Sequence, residues 1–208
     1  MEYELSFFEF DYNTIKSKIT ENGGKLVHKM VPYKVAFFQL CGENNFKSGM
    51  IRVRDENGIC TMTTKKFSKT SKYPEEYETK VSESYTNIVK LLKVGGLELK
   101  SEVIKYREKW NYPGCNEIVF DVWAGLPIVM EVECKNEKAL HKVCKSLGLD
   151  VKDGISGSKM KHIYGLETTV YNLNFTNYKK LLKPVIKKNQ KLLNSLTKKY
   201  YENFIGKK

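Results

Sequence analysis

The chain has 208 residues with 36 Lys+Arg against 24 Asp+Glu, a formal net charge of +12; 41% of its residues are hydrophobic and 12% aromatic. That composition excludes a disordered polar chain and allows one ordinary domain, with or without an appended helix. No apolar run approaches the ~20 residues a membrane-spanning helix needs.

Taken in chain order, Met1–Phe10 alternates and reads as a strand, and Asp11 caps a helix over Tyr12–Asn22 that Gly23-Gly24 ends. Tyr33–Cys41 and Gly49–Arg54 are strand-like, and Gly58 turns the chain back into Cys60–Phe67. After a polar loop, Tyr77–Val81 reads as a strand and Ser84–Val94 as a helix closed by Gly95-Gly96. Three strands follow, Glu98–Trp110, Glu117–Val122 and Ile128–Cys134, and then a helix over Glu137–Leu147 stopped by Gly148. A loop leads to Ser158–Tyr164, and a lysine-rich amphipathic helix is expected from Tyr178 to about Phe204, kinked at Pro184. Strands joined by short turns predict an antiparallel α+β domain.

The charge is unevenly spread. From Thr176 onward there are ten lysines and one acid, Glu202, a surplus of nine that leaves only three of the twelve net charges for residues 1–175. The division expected is therefore a mixed-charge domain over 1–175 and a basic helix over 176–208. In the latter, Leu181, Leu182, Ile186, Leu192, Leu193 and Leu196 pack on the body, while the lysines offer a non-specific contact for nucleic acid. The five cysteines show no metal-ligand spacing and, without a basic-then-apolar leader at the N-terminus, suggest a reduced cytoplasmic protein.

Six expected strands carry like-signed or strongly polar pairs spaced i, i+2: Glu2/Glu4, Arg52/Arg54, Thr63/Lys65, Glu76/Glu78, Lys105/Arg107 and Glu131/Glu133. Side chains two apart on a strand leave the same face about 6.7 Å from each other. Like charges so placed repel unless an opposite charge lies over them. Apolar residues such as Ile51, Val53, Met130 and Val132 occupy alternate positions, so each strand has one charged and one apolar face. Solvated sheet faces are the ordinary explanation of such residues. The coherence of sign within six pairs favours a closed sheet instead, with charges inside and apolar faces under helices. Carboxylates suit Mg²⁺ or Mn²⁺, and Arg and Lys clamp phosphate oxygens. A lumen with both signs fits a metal–polyphosphate complex.

These motifs resemble, in order and spacing, the CYTH superfamily of triphosphate tunnel metalloenzymes. Glu2-Tyr3-Glu4-Leu5-Ser6 is similar to its N-terminal ExExK signature, Ile51-Arg52-Val53-Arg54 to its basic strand, and Thr63-Thr64-Lys65 to the strand after it. Glu76-Tyr77-Glu78, Lys105-Tyr106-Arg107, and Asp121 followed near Gly125 and ten residues on by Glu131-Val132-Glu133 complete the pattern. The resemblance covers residues 2 to about 150. It departs at Ser6, where the signature has lysine and for which Lys29 or Lys34 is a candidate substitute, and at Pro74, where an arginine is often found.

What the resemblance implies is an eight-stranded antiparallel β-barrel with flanking helices. Metal-binding is expected from Glu2, Glu4, Glu76, Glu78, Asp121, Glu131 and Glu133, with Asp121 supporting a second metal site. Substrate-binding is expected from Arg52, Arg54, Lys65, Lys105 and Arg107, and catalysis from Glu131, Glu133 and Asp121. The implied activity is hydrolysis of the terminal phosphate of a triphosphate (inorganic, nucleotide or RNA 5′ end). A class IV adenylate cyclase and a polyphosphate-binding module without turnover are the alternatives. Trp110 and Trp123 suit packing better than stacking on a base, and His162 and Tyr164 are candidates for covering a tunnel mouth.

Overall fold

The computed structural model of the chain describes residues 3–8, 10–40, 48–67, 75–124 and 128–155. These form, in order, β1 (Tyr3–Phe7), α1 (Tyr12–Glu21), β2 (Lys25–Gln39), β3 (Gly49–Glu56), β4 (Ile59–Lys66) and β5 (Glu75–Val81). Then come α2 (Tyr85–Val94), β6 (Leu99–Asn111), β7 (Glu117–Val122), β8 (Ile128–Cys134), α3 (Glu137–Leu147) and a 3-10 turn at Val151–Asp153. The strands form one eight-stranded sheet in the order β1-β8-β7-β6-β2-β3-β4-β5. Its ladders β1–β8, β8–β7, β7–β6, β2–β3, β3–β4 and β4–β5 are antiparallel. The α+β class and the eight strands are as expected. The order begins at β1 and ends at β5, and among the described residues no ladder joins those two.

Every expected strand and helix within the described residues is present. β2 is the largest difference, beginning at Lys25 rather than Tyr33. Lys25–Pro32 lacks clean alternation and ends on a proline, which argues against a strand on sequence alone. Pro32 precedes Tyr33↔Glu56, where the β2–β3 ladder starts, so its missing N–H costs no bond to β3. The boundary at residue 175, the lysine-rich helix, His162 and Tyr164 lie outside the described residues. None of the described helices is long and apolar enough to cross a membrane.

The chain resolves into two compact units. One comprises the described residues up to Val31 and those from Tyr106 onward. In it the apolar faces of β7 and β8 (Ile118, Phe120, Val122, Met130, Val132) pack against Ile15 and Ile19 of α1 and Leu140, Val143 and Leu147 of α3. Tyr12 meets Phe120 edge-on, with ring centroids 5.0 Å apart. Asp11 Oδ1 caps α1 by accepting from Thr14 N at 2.7 Å, and Asn136 Oδ1 caps α3 by accepting from Ala139 N at 2.8 Å. Ser6 of β1 and Ile155 exchange backbone hydrogen bonds of 3.0 and 2.9 Å. Gly154 permits that approach, since a Cβ there would lie 2.9 Å from Leu5 Cδ1 and 3.1 Å from Phe7 Cζ.

The other unit is Pro32–Lys105. Ala36, Phe38, Val53 and Cys60 form its core with Tyr85 and Ile88 of α2. Its β3–β4 hairpin turns on Asn57 (φ 53°) and Gly58 (φ 80°), the left-handed pair of a type I′ turn. Of the described cysteines, Cys60, Cys134 and Cys144 are buried thiols that behave as small hydrophobes, and burial, with Cys134 adding, pushes Cys144 up to about 11.

Candidate functional site

Directly opposed residues of an antiparallel ladder project to the same side, so the registers fix which residues share a face. In the first unit Glu4 opposes Glu133 and Ser6 opposes Glu131. Glu133 in turn opposes Glu117, and Glu131 opposes Val119. Val119 opposes Lys109, and Asp121 opposes Arg107. One face thus gathers Glu4, Ser6, Glu117, Asp121, Glu131 and Glu133 with Arg107 and Lys109. The alternating residues form the apolar core on the other side.

Arg107 organises this face. Its Nε donates to Asp121 Oδ1 and its Nη2 to Oδ2, each at 2.7 Å, and Nη2 also donates to Glu131 Oε2 at 3.2 Å. Glu117 Oε1 stands 4.0 Å from Nη1, while its Oε2 pairs with Lys109. The Asp121 and Arg107 side chains are 0% and 7% exposed. Burying both charges is costly, and the two-pronged geometry is what offsets it. Glu133 Oε1 accepts from Asn116 Nδ2 at 2.9 Å. Position 6 is serine, and among the described residues Arg107 is a cation that stands beside Glu131.

In the second unit Arg52 opposes Thr63 and Arg54 opposes Thr61. Thr63 opposes Glu78, and Lys65 opposes Glu76. Arg52 Nη2 reaches Thr63 Oγ1 (3.2 Å), Glu78 Oε2 (3.1 Å) and Glu76 Oε1 (3.4 Å). Arg54 donates through Nη2 to Glu78 Oε1 at 2.8 Å and through Nε to Thr61 Oγ1 at 3.1 Å. Lys65 Nζ pairs with Glu76 Oε2 at 2.6 Å, and Lys105 Nζ lies 4.6 Å from the centre of the Tyr33 ring. The Thr63 hydroxyl donates to Glu78 Oε2 at 2.6 Å.

Burial alone would raise the Glu78 carboxyl, but the Thr63 hydroxyl and the Arg54 and Arg52 charges outweigh it and hold the group below its ordinary value. The stability Glu78 contributes is therefore full above the ordinary carboxylate range and is lost as pH falls through the lowered value. Carbon-13 NMR should place the Glu78 midpoint below that of an exposed glutamate, and Arg54→Gln should move it up. A wild-type midpoint at or above the ordinary value would contradict this network.

The expected site residues thus gather on two polar faces. Glu4, Arg107, Asp121, Glu131 and Glu133 share the first; Arg52, Arg54, Lys65, Glu76 and Glu78 share the second, where Lys105 sits against Tyr33. Glu2 and Gly125 lie outside the described residues. Lys34 is not a substitute for the lysine missing at Ser6: it alternates with Tyr33 and Val35, takes the side of Ala36 and Phe38, and lies 3.9 Å from Asp55. Trp110 is core, with its Nε1 donating to Glu108 Oε1 at 2.8 Å. Sequence reasoning missed Glu117, Lys109 and Asn116. Lys109 extends the Lys105/Arg107 spacing by one step, and Glu117 precedes Asp121 by four residues on the same face, so the alternation held a signal for both.

Among the described residues no cluster of three or more His, Cys, Asp or Glu side chains is assembled into a metal cage. The donor set still fits a hard divalent cation. Glu4, Glu133 and Glu117 occupy one cross-strand row, all through oxygen, and a cation relieves the repulsion of like charges directly opposed.

A sheet with an interleaved acidic and basic face, backed on its other side by helices, has the architecture of the triphosphate tunnel fold. The chain belongs to the CYTH domain family, whose model matches residues 40–158. Three of the solved structures that share the fold illustrate it. A conserved hypothetical protein from Pyrococcus furiosus is 15% identical, with a TM-score of 0.59, covering 78% of this chain and 100% of its own. A protein from Pyrococcus horikoshii OT3 is 23% identical, with a TM-score of 0.56 and coverages of 76% and 95%. A candidate adenylate cyclase from Vibrio parahaemolyticus is 14% identical, with a TM-score of 0.60 and coverages of 76% and 94%. Comparison with curated proteins gives no match.

Proposed function

We propose that this chain is a divalent-metal-dependent triphosphatase that releases the terminal phosphate of an inorganic, nucleotide or RNA 5′ triphosphate. The observation that carries this reading is that each polar face interleaves carboxylates with guanidinium or ammonium groups, tied by the Arg107–Asp121–Glu131 and Arg52–Arg54–Glu78 contacts. A face built only for solubility has no need to bury such a pair as Arg107–Asp121.

Mg²⁺ or Mn²⁺ held by Glu4, Glu131 and Glu133, with Asp121 and the N-terminal Glu2, would supply charge neutralisation and a more acidic water. Arg107 keeps the Asp121 and Glu131 carboxylates in place and adds its positive charge to the site. Arg52, Arg54, Lys65 and Lys105 neutralise the polyphosphate oxygens as charge shifts to the leaving group. Glu76 and Glu78, expected as metal ligands, are engaged by Arg52, Arg54 and Lys65. That arrangement suits holding the cations in orientation before substrate binds, which lowers the cost of organising them.

The test is a product-resolved assay. The full-length chain is incubated with Mg²⁺ or Mn²⁺ and, separately, inorganic triphosphate, ATP or 5′-triphosphate RNA. Metal-dependent free phosphate is expected. Pyrophosphate together with cyclic AMP would make the chain a cyclase, and binding without product would make it a triphosphate-binding module.

A further inference from the structure

The turn between β6 and β7 is pinned at both ends. Tyr112, Pro113, Gly114 and Cys115 make a type II turn: Cys115 N donates to Tyr112 O at 3.1 Å, and Gly114 supplies the left-handed third position (φ 81°). Tyr112 is 7% exposed and reaches α3. Ser146 Oγ donates to Val143 O at 2.7 Å, so in the 2.7 Å bond between the Tyr112 and Ser146 hydroxyls the tyrosine is the donor. The start of the turn is thereby tied to α3.

Its end is tied to β8, at Glu133. Asn116 N donates to Glu133 O at 2.8 Å. The Cys115 thiol lies 2.8 Å from the same oxygen and 3.0 Å from Glu117 O, and shares its one proton between them. Burial and the neighbouring Cys134 push that thiol well above the ordinary cysteine value, so it remains a donor. The Asn116 side chain adds a third contact, with Nδ2 donating to Glu133 Oε1 at 2.9 Å. A carboxylate only accepts, so the amide nitrogen and not its oxygen faces it. The chain bends at Asn116 before β7 begins, which breaks the alternation that would send its side chain away from that of Glu117.

We infer that Asn116 is a positioning residue for the divalent cation, orienting the Glu133 carboxylate from a turn that is itself fixed. Two features select that role. The donor is neutral: Arg107 and Lys109 hold Glu131 and Glu117 through charges that compete with a cation for the same oxygens, whereas an amide orients Glu133 without adding positive charge. A carboxylate also offers about four lone-pair positions, so one bond to Oε1 fixes the group and leaves room for a metal. Partners standing one step behind a metal-binding side chain change metal affinity by about 10–100-fold. The inference deepens the metal-dependent reading of this site and rests on it, adding a residue that acts through Glu133 rather than on the metal itself.

The experiment titrates the full-length chain with Mn²⁺ and follows the electron paramagnetic resonance signal of the free ion. Asn116→Ala should weaken Mn²⁺ binding by about tenfold, the lower end of such effects because Asn116 is exposed. In phosphate release from inorganic triphosphate, the half-saturating Mn²⁺ should rise by a similar factor, while the rate at saturating Mn²⁺ stays within about twofold of wild type. The variant should melt within about 2 °C of wild type, as surface substitutions do. A structural role gives the opposite split, a lower melting temperature and a lower saturated rate, and would overturn the inference. Unchanged Mn²⁺ affinity in the folded variant would overturn it alone and leave the metal-dependent reading standing. A wild type that binds Mn²⁺ but releases no phosphate would contradict the hydrolase reading, and the two affinities would still decide the role of Asn116. If wild type binds no Mn²⁺, the metal reading fails and takes this inference with it.

Discussion

Replacing Glu131 or Glu133 by glutamine should slow metal-dependent phosphate release by about two to three orders of magnitude, some 3–4 kcal/mol of transition-state stabilisation. Glutamine keeps the shape and one oxygen but removes the charge a hard cation needs. Glu131 sits on β8 opposite Ser6 and accepts from Arg107 at 3.2 Å with its side chain 27% exposed, so Glu131→Gln should fold normally. Glu133 shares its cross-strand row with Glu4 and Glu117. Glu117→Gln should cost less, because its carboxylate already pairs with Lys109. Steady-state rates across a Mg²⁺ titration, alongside melting curves, decide the matter. Near-normal turnover in both the Glu131 and Glu133 variants would remove these residues from the site.

The second large effect is on stability. Asp121→Ala should destabilise the protein by about 3 kcal/mol, because it removes the two-pronged partner of the buried Arg107 charge and leaves it only Glu131 at 3.2 Å and the more distant Glu117. Two 2.7 Å hydrogen bonds disappear, and the side chain removed is fully buried. With a typical total stability of about 5–15 kcal/mol, such a loss leaves a marginal fold and lowers Tm by about 10 °C. Combining Asp121→Leu with Arg107→Met should recover much of the loss, since it removes both charges together. Urea unfolding measures both variants. If Asp121→Ala cost less than about 1 kcal/mol, the pair would not be what holds β6 to β7.

Much of the fold could be read from alternation. The Ile118, Phe120 and Val122 series and the Met130/Val132 pair marked the apolar faces of β7 and β8, and Asp11 marked the start of α1. The charged pairs marked which side of each strand is polar, and the registers place those pairs on common faces. Two things lay beyond the sequence. Strand pairing is non-local, so nothing in residues 105–133 taken singly says that Arg107 grips Asp121 and Glu131, or that Glu117 joins the row of Glu133. Lys34 shows the same limit from the other side: as a spare lysine it suited the gap at Ser6, but strand parity turns it toward the helix side. Asn116 carries no pattern at all: parity with Glu117 would send it to the other face, and only the bend before β7 brings its amide to Glu133.

The most direct test of the central claim is anomalous diffraction from crystals of the full-length chain grown with Mn²⁺ and inorganic triphosphate. A manganese peak in coordination distance of Glu131 or Glu133 and of a phosphate oxygen, with the phosphates on Arg52, Arg54 or Lys65, is the predicted result. Manganese bound away from both glutamates, or a triphosphate held elsewhere on the surface, would contradict it.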